Sequence, residues 1–240
     1  MQAQVANDNR NGRLRGTLAR GRTPPDNGAG PFIQDGRDDS PIGVYAVSQQ
    51  DRARWNERYA PEGLVMGPGP KPVIRELGHL LPVSGRALDI ACGEGQLALW
   101  LAGRGLHVTA VDIAAVALQK LRRQAEAQGL QDRIVAVETD LDEGLPEIPG
   151  GLDLVTCIDF YSPSLMNAAR RLLAPRGLLL VQVVLQPPGG DSPRRAARNE
   201  ALGFAEGLAV HFYREGIIDG RELAQLLAQR PPVGALRFSD

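Results

Sequence analysis

From Arg86 onward the chain alternates between short aliphatic runs and longer stretches in which apolar residues recur every three or four positions. Aliphatic runs of four to eight residues bounded by glycine or polar residues predict buried strands, and the longer period predicts helices. The pattern places strands at 86–91, 107–111, 133–138, 152–158 and 178–184. Helices fall between them at 96–104, 114–128 and 164–173, the first two stopped by Gly105 and Gly129. Pro175-Arg176-Gly177 is expected as a turn and 186–193 as a loop. A helix near 198–208 and strands at 209–213 and 222–228 close the pattern, the last two joined through 215–220 as an antiparallel hairpin. Alternating strands and helices predict an α/β fold, a Rossmann-like, doubly wound and mostly parallel sheet with an antiparallel C-terminal hairpin.

Before this region the pattern fails. Residues 1–48 are rich in Asn, Gly, Pro, Asp and Arg, follow neither period, and are expected to be a disordered extension. Its first 25 residues carry Arg10, Arg13, Arg15, Arg20 and Arg22 against the single acid Asp8, the charge of a solvated tail. The ordered domain is expected over 49–232, opening on a short helix with Trp55 and Tyr59 on one face, and 233–240 is expected to be a tail.

Composition narrows the class. Of 240 residues, 43% are hydrophobic and 23% charged, and the formal net charge is −1. No apolar run approaches the roughly 18 residues of a membrane span, so no membrane partner is expected, and the charge balance makes nucleic acid an unfavoured partner. Two cysteines, Cys92 and Cys157, are too few for a disulfide framework and fit a reducing, cytoplasmic setting. No metal-ligating cluster stands out.

The chemistry concentrates at Leu88-Asp89-Ile90-Ala91-Cys92-Gly93-Glu94-Gly95, where a strand enters a glycine turn that opens a helix. Such a turn lets the backbone approach a ligand. Gly93-Glu94-Gly95-Gln96-Leu97-Ala98 has dinucleotide spacing, and Asp112 follows about twenty residues on. Charge argues against a dinucleotide, whose pyrophosphate would meet Asp89 and Glu94. S-adenosylmethionine has no phosphate and brings an ammonium, a sulfonium and ribose hydroxyls, which suit acids. Asp89, Asp112 and Asp140 end three consecutive predicted strands at the edge where such sheets bind ligands. Asp112 is expected on the ribose hydroxyls, Asp140 and the Leu141 amide on the adenine edge, and Ile113 over the ring. Glu94 is expected to be a solvated loop acid.

In order, LDIACGEG, VTAVDI, ETDLDE, LDLVTCIDF and LLAPRGLLLVQ resemble the class I S-adenosylmethionine-dependent methyltransferases across 50–230. Trp55-Asn56-Glu57-Arg58-Tyr59, Ala98-Leu99-Trp100-Leu101-Ala102 and His211-Phe212-Tyr213-Arg214-Glu215-Gly216 are similar to small bacterial members of the tellurite-resistance and thiol methyltransferase type. The resemblance implies S-adenosyl-L-methionine as cofactor. It carries ligand roles onto Asp89, Gly93, Gly95, Asp112 and Asp140, with Ala91 at the place of a first glycine. It also sets Trp55 and Tyr59 near the methionine end as a lid, and implies that Cys157 and Cys92 meet beside the transfer site.

A sulfonium is already an activated leaving group, so alignment dominates, and a thiolate or metalloid oxyanion acceptor requires no base. An oxygen or nitrogen acceptor requires one, for which Asp159, Tyr161 and His211 are the candidates. The expectation is an S-adenosylmethionine-dependent methyltransferase for a small-molecule acceptor. The alternatives are a macromolecular acceptor, reached through Arg194, Arg195 and Arg198, and a cofactor-binding module without catalysis.

Overall fold

The computed structural model describes residues 44–232, with side chains from Gln49 onward; residues 1–43 of the extension expected over 1–48, and the tail over 233–240, lie outside these residues. Helices α1 (Val44–Tyr59) and α2 (Pro72–Leu77) precede the sheet. It is then built from β1 (Gly85–Ile90), α3 (Gln96–Gly103), β2 (Leu106–Asp112), α4 (Ala115–Ala127), β3 (Ile134–Glu138), β4 (Leu152–Ile158), α5 (Pro163–Arg171), β5 (Leu173–Val184), β6 (Ala209–Ile218) and β7 (Arg221–Gln229). The seven strands lie in the order β3-β2-β1-β4-β5-β7-β6. Only β7 runs opposite to the other six strands, which gives the mostly parallel sheet with an antiparallel C-terminal hairpin that the sequence predicts. The order reverses between β1 and β4, and a crevice at the carboxyl ends of those strands is where such sheets take ligands.

The central strands are buried on both faces, which explains their unbroken aliphatic runs. Leu88, Ile90, Val155, Cys157, Val181 and Val183 meet α5 on one face. Ala87, Val108, Ala110, Leu154 and Leu180 meet α2, α3 and α4 on the other. Gly95 sits at φ +79, and a Cβ there would lie 2.2 Å from a Leu121 methyl, so α4 packs directly on the turn. No helix forms between β3 and β4; residues 139–151 make that crossover as loop.

Several boundaries differ from the pattern. α1 opens at Val44, ahead of the expected start near Gln49, and α2 was not foreseen because its six residues are too few to show a period. Pro175-Arg176-Gly177 does not separate helix from strand. β5 already begins at Leu173 and absorbs it as a bulge, between the pairs Leu152↔Leu173 and Leu154↔Leu178. The expected helix near 198–208 is a 3-10 segment, Glu200–Ala205. The C-terminal hairpin is longer than expected and turns on Asp219-Gly220, both at positive φ (50° and 75°). An Asp-Gly pair favours that two-residue turn.

Candidate active site

The turn after β1 runs through left-handed backbone at Ala91 (φ 54), Gly93 (φ 54) and Gly95 (φ 79). Ala91 therefore occupies a position that glycine adopts without strain, at a cost of about 1–2 kcal/mol. Asp112, at the end of β2, accepts from the Gly93 amide at 2.8 Å and from the Ala114 amide at 2.9 Å. One carboxylate thus fixes both the turn and the entry to α4. Burial raises its pKa, while the Ala114, Gly93 and Ile113 amides oppose that rise. A carboxylate has about four acceptor positions, so Asp112 keeps capacity beyond these amides.

Asp89 is 2% exposed. Its Oδ1 accepts from the Thr156 hydroxyl at 2.7 Å, and its Oδ2 is buried without a hydrogen-bond partner. Burial, reinforced by the charge of Asp112, pushes its pKa up to about 7, against the Thr156 hydrogen bond. Asp140 is buried after β3, where its Oδ1 accepts from the Asp142 amide at 3.0 Å. Leu141 beside it packs into the core, and Ile113 is half-buried after β2. The three acids thus stand at the carboxyl ends of β1, β2 and β3, as the sequence places them.

Glu94 corrects its expectation: it is not a solvated loop acid but fully buried. Its carboxylate accepts from the Val65 amide at 3.1 Å and the Met66 amide at 3.0 Å, and pairs with Lys120 Nζ at 2.9 Å. Burial works to raise its pKa, but the Met66, Lys120 and Val65 bonds outweigh it and hold the carboxyl below its ordinary range. Lys120 also donates to the Pro61 and Gly63 carbonyls, each at 2.8 Å. Together the pair staples segment 61–67 onto the glycine turn.

α1 lies over the same turn. Trp55 and Tyr59 stack with ring centroids 5.9 Å apart. Tyr59 is buried against Ala114 and Ala117, and its hydroxyl would lie 2.8 Å from a Cβ on Gly93. Burial, with Asp112 and Glu94 nearby, raises its pKa strongly. Asn56 accepts from the Val116 amide at 3.0 Å and so caps α4 from outside. Arg52 pairs with Glu138. Arg194 joins Asp51 of α1, at 2.6 Å, to Asp142, at 3.0 Å.

Cys157 lies on β4 in register with Ile90, the last residue of β1, and Cys92 follows two residues later in the turn after β1, so strands one and four are adjacent as expected. Both are free thiols. Burial and the neighbouring acids raise both pKa values, with Asp112 and Asp89 acting on Cys92 and Asp89 and Asp159 on Cys157. That direction favours the neutral thiol at both positions.

The three candidate bases part company. Asp159 follows β4 in left-handed backbone (φ 64). It accepts from Gln182 at 2.8 Å and Arg221 at 3.0 Å, and Lys71 lies 3.6 Å away. Tyr161 donates to Glu200, and burial together with that carboxylate pushes its pKa up to about 12. His211 is at the other end of the sheet. It is exposed near the start of β6, beside Gln229, whose neighbour across the sheet is Leu178 of β5, itself paired with Leu154 near the amino end of β4. The fold removes it from the carboxyl edge.

Sequence reasoning missed a buried polar ladder. Gln225 on β7 donates to Gln182 on β5 at 2.6 Å, and Arg214 on β6 donates to Gln225 at 2.7 Å and pairs with Glu76 of α2 at 2.6 Å. The rung ends on Asp159. Its sequence signals are glutamine inside aliphatic strands and Lys71, one of only two lysines in the chain, which faces Asp159; the other, Lys120, reaches Glu94 on the glycine turn.

Among the described residues, no group of His, Cys, Asp and Glu could hold a metal ion, and no helix is long and apolar enough to cross a membrane. Residues 87–177 match the family model described as "Methyltransferase domain". The chain is 36% identical over 112 residues to a ubiquinone biosynthesis O-methyltransferase of Xylella fastidiosa (strain 9a5c), an alignment covering 43% of this chain and 44% of that one. It spans about half the length of the curated relatives it matches. In fold it is similar to geranyl diphosphate C-methyltransferase from Streptomyces coelicolor A3(2), at TM-score 0.60 and 14% identity over 80% of this chain and 99% of that one. It is likewise similar to TehB from Haemophilus influenzae, at TM-score 0.58 and 17% identity over 75% and 66%. Over residues 87–177 the chain is thus similar to a methyltransferase domain, and its strand order and acid-lined turn resemble those of class I S-adenosylmethionine-dependent methyltransferases.

Proposed function

We propose that the protein transfers a methyl group from S-adenosylmethionine to a small-molecule acceptor. The observation that carries this reading is the set of Asp89, Asp112 and Asp140 at the ends of β1, β2 and β3, around a turn whose backbone comes close to any ligand. The donor set suits the cofactor. The unpartnered, buried Asp89 Oδ2 would accept from its ammonium, Asp112 from the ribose hydroxyls and Asp140 from the adenine amino group. Ile113 and Leu141 would flank the ring, while Trp55 and Tyr59 of α1 would close over the methionine end. The same acids would repel a pyrophosphate.

When bound, the cofactor supplies an activated methyl group. The chain's part is to hold both reactants in line and exclude water, worth roughly 7–11 kcal/mol in favourable cases. Cys92 and Cys157 keep the space beside β1 and β4 narrow. None of the candidate bases offers an unengaged acceptor at the turn after β4: Asp159 is held by Gln182 and Arg221, Tyr161 donates to Glu200, and His211 lies at the opposite edge. This favours acceptors that arrive ionised, such as thiolates, metalloid oxyanions and acidic hydroxyls. The names of the relatives add hydroxyl compounds to that set. The test is S-adenosylhomocysteine release by the purified chain against thiols, tellurite, selenite, phenols and small amines. Release with an acidic acceptor supports the reading, and release only with a protein or nucleic acid would replace it.

A further inference from the structure

With no unengaged base at the turn after β4, the acceptor has to arrive ionised, and an anion entering there requires a cation to meet it. Lys71 is placed to be that cation.

Lys71 ends segment 61–71, which three sets of contacts fix to the glycine turn and its flanking helices. Lys120 donates to the Pro61 and Gly63 carbonyls, the Glu94 carboxylate accepts from the Val65 and Met66 amides, and Gln96 donates to the Gly67 carbonyl at 3.1 Å. Pro70 and Pro72 restrict the backbone on either side of Lys71. The segment thus runs from the turn after β1 to the end of β4, where it brings the ammonium to 3.6 Å from Asp159 Oδ2. β1 and β4 are the strands between which the sheet order reverses.

That contact leaves the ammonium available. Asp159 already accepts from Gln182 on Oδ1 and from Arg221 on Oδ2. At 3.6 Å Lys71 adds an ion pair without a hydrogen bond, and its side chain is 40% exposed. Exposed pairs of this kind contribute about 0–1 kcal/mol, little enough for an incoming anion to exchange. Among the described residues no hydrogen bond engages its ammonium.

Stability does not account for the residue. Lys71 is the N-cap of α2, a position that favours a side-chain oxygen accepting from the helix amides, and it makes no such bond. Of 27 basic residues only Lys71 and Lys120 are lysines, and Lys120 is enclosed at Glu94. The compact charge and flexible stem of lysine suit an anion that comes and goes.

We propose that Lys71 binds the negative charge of the methyl acceptor and makes the site selective for anionic acceptors. This rests on the function proposed above. The charge sits either on the accepting atom or on a second group of the same molecule, and the test resolves the two.

The full chain, K71M and K71R, each saturated with S-adenosylhomocysteine, are titrated with para-nitrophenolate, para-nitrobenzoate and the neutral para-nitrobenzyl alcohol. The unaltered chain is expected to bind one or both anions more tightly than the alcohol. K71M should weaken the anions about tenfold and leave the alcohol unchanged, as for a charge-assisted hydrogen bond. K71R should retain part of the preference, since it keeps the charge. A preference for the phenolate alone assigns the charge to the accepting atom, and a preference for the benzoate adds a second group. No preference in the unaltered chain, or one that K71M leaves intact, overturns the proposal. So does an equal loss for the alcohol or for S-adenosylhomocysteine, which marks a merely structural role, or failure of all three probes to bind. If the unaltered chain does not bind S-adenosylhomocysteine, the functional reading itself fails, an outcome distinct from failure at Lys71.

Discussion

Thr156 on β4 donates its hydroxyl to Asp89 Oδ1 across the β1–β4 rung at 2.7 Å, and the other oxygen of Asp89 is buried without a partner. One hydrogen bond does not offset the burial of a carboxylate, so the pKa of Asp89 rises to about 7, with burial as the main cause. The sign of the linkage follows: the native state holds this proton more tightly than the unfolded chain. Asp89 therefore contributes stability that is fully present below the unfolded carboxyl range and is lost as pH rises through about 7. Cofactor binding has the opposite dependence, because only the ionised carboxylate attracts the ammonium. Calorimetric titration with S-adenosylhomocysteine between pH 5.5 and 8 should show affinity rising by about tenfold per unit below pH 7 and levelling above it. Asp89→Asn should bind weakly with a flat profile. A wild-type profile equally flat would remove Asp89 from the ligand.

The Glu94–Lys120 pair at the glycine turn predicts a stability effect. Removing one partner of a buried ion pair costs about 3 kcal/mol or more. For a domain of this size that lowers Tm by roughly 6–12 °C. Lys120→Met should show this in a thermal melt, and Lys120→Met with Glu94→Gln should recover part of it, because the carboxamide oxygen still accepts from Val65 and Met66. A Lys120→Met melt superimposable on wild type would mean that segment 61–67 is held by other contacts.

The ladder Arg214–Gln225–Gln182–Asp159 predicts a contrast between single and double substitution. Gln182→Leu removes the partner of the Gln225 side-chain N–H and of Asp159 Oδ1, at about 1–3 kcal/mol for an unsatisfied buried group. The double variant Gln182→Leu/Gln225→Leu removes both amides and fills the space with apolar surface, so the loss should shrink. Chemical denaturation compares the two. A double variant as unstable as the sum of the singles would show that the amides do not act as a pair.

Much of the fold was legible because the central strands, buried on both faces, must be aliphatic, and glycine follows the ends of α3 and α4. The acids at Asp89, Asp112 and Asp140 were legible because a strand end fixes where a side chain emerges. What the sequence hid depends on long-range contact. Glu94 looks like a loop acid until Lys120, 26 residues on, is packed against it. His211 misleads for the converse reason. A histidine on a late strand carries no mark of which edge it faces, and antiparallel pairing of β7 to β5 and β6 sends it to the wrong one. The bulge that absorbs Pro175-Arg176-Gly177 is likewise a matter of register with β4 rather than of local preference.

The central claim is that an acid-lined turn selects S-adenosylmethionine over a dinucleotide of similar spacing. It is tested most directly by calorimetric titration of the full chain with S-adenosylhomocysteine and NAD, alongside Asp112→Ala. The account predicts binding of S-adenosylhomocysteine, no measurable binding of NAD, and an affinity lower by about 1.5–3 kcal/mol in Asp112→Ala, the range for hydrogen bonds to a charged group. NAD bound at least as tightly as S-adenosylhomocysteine would contradict it.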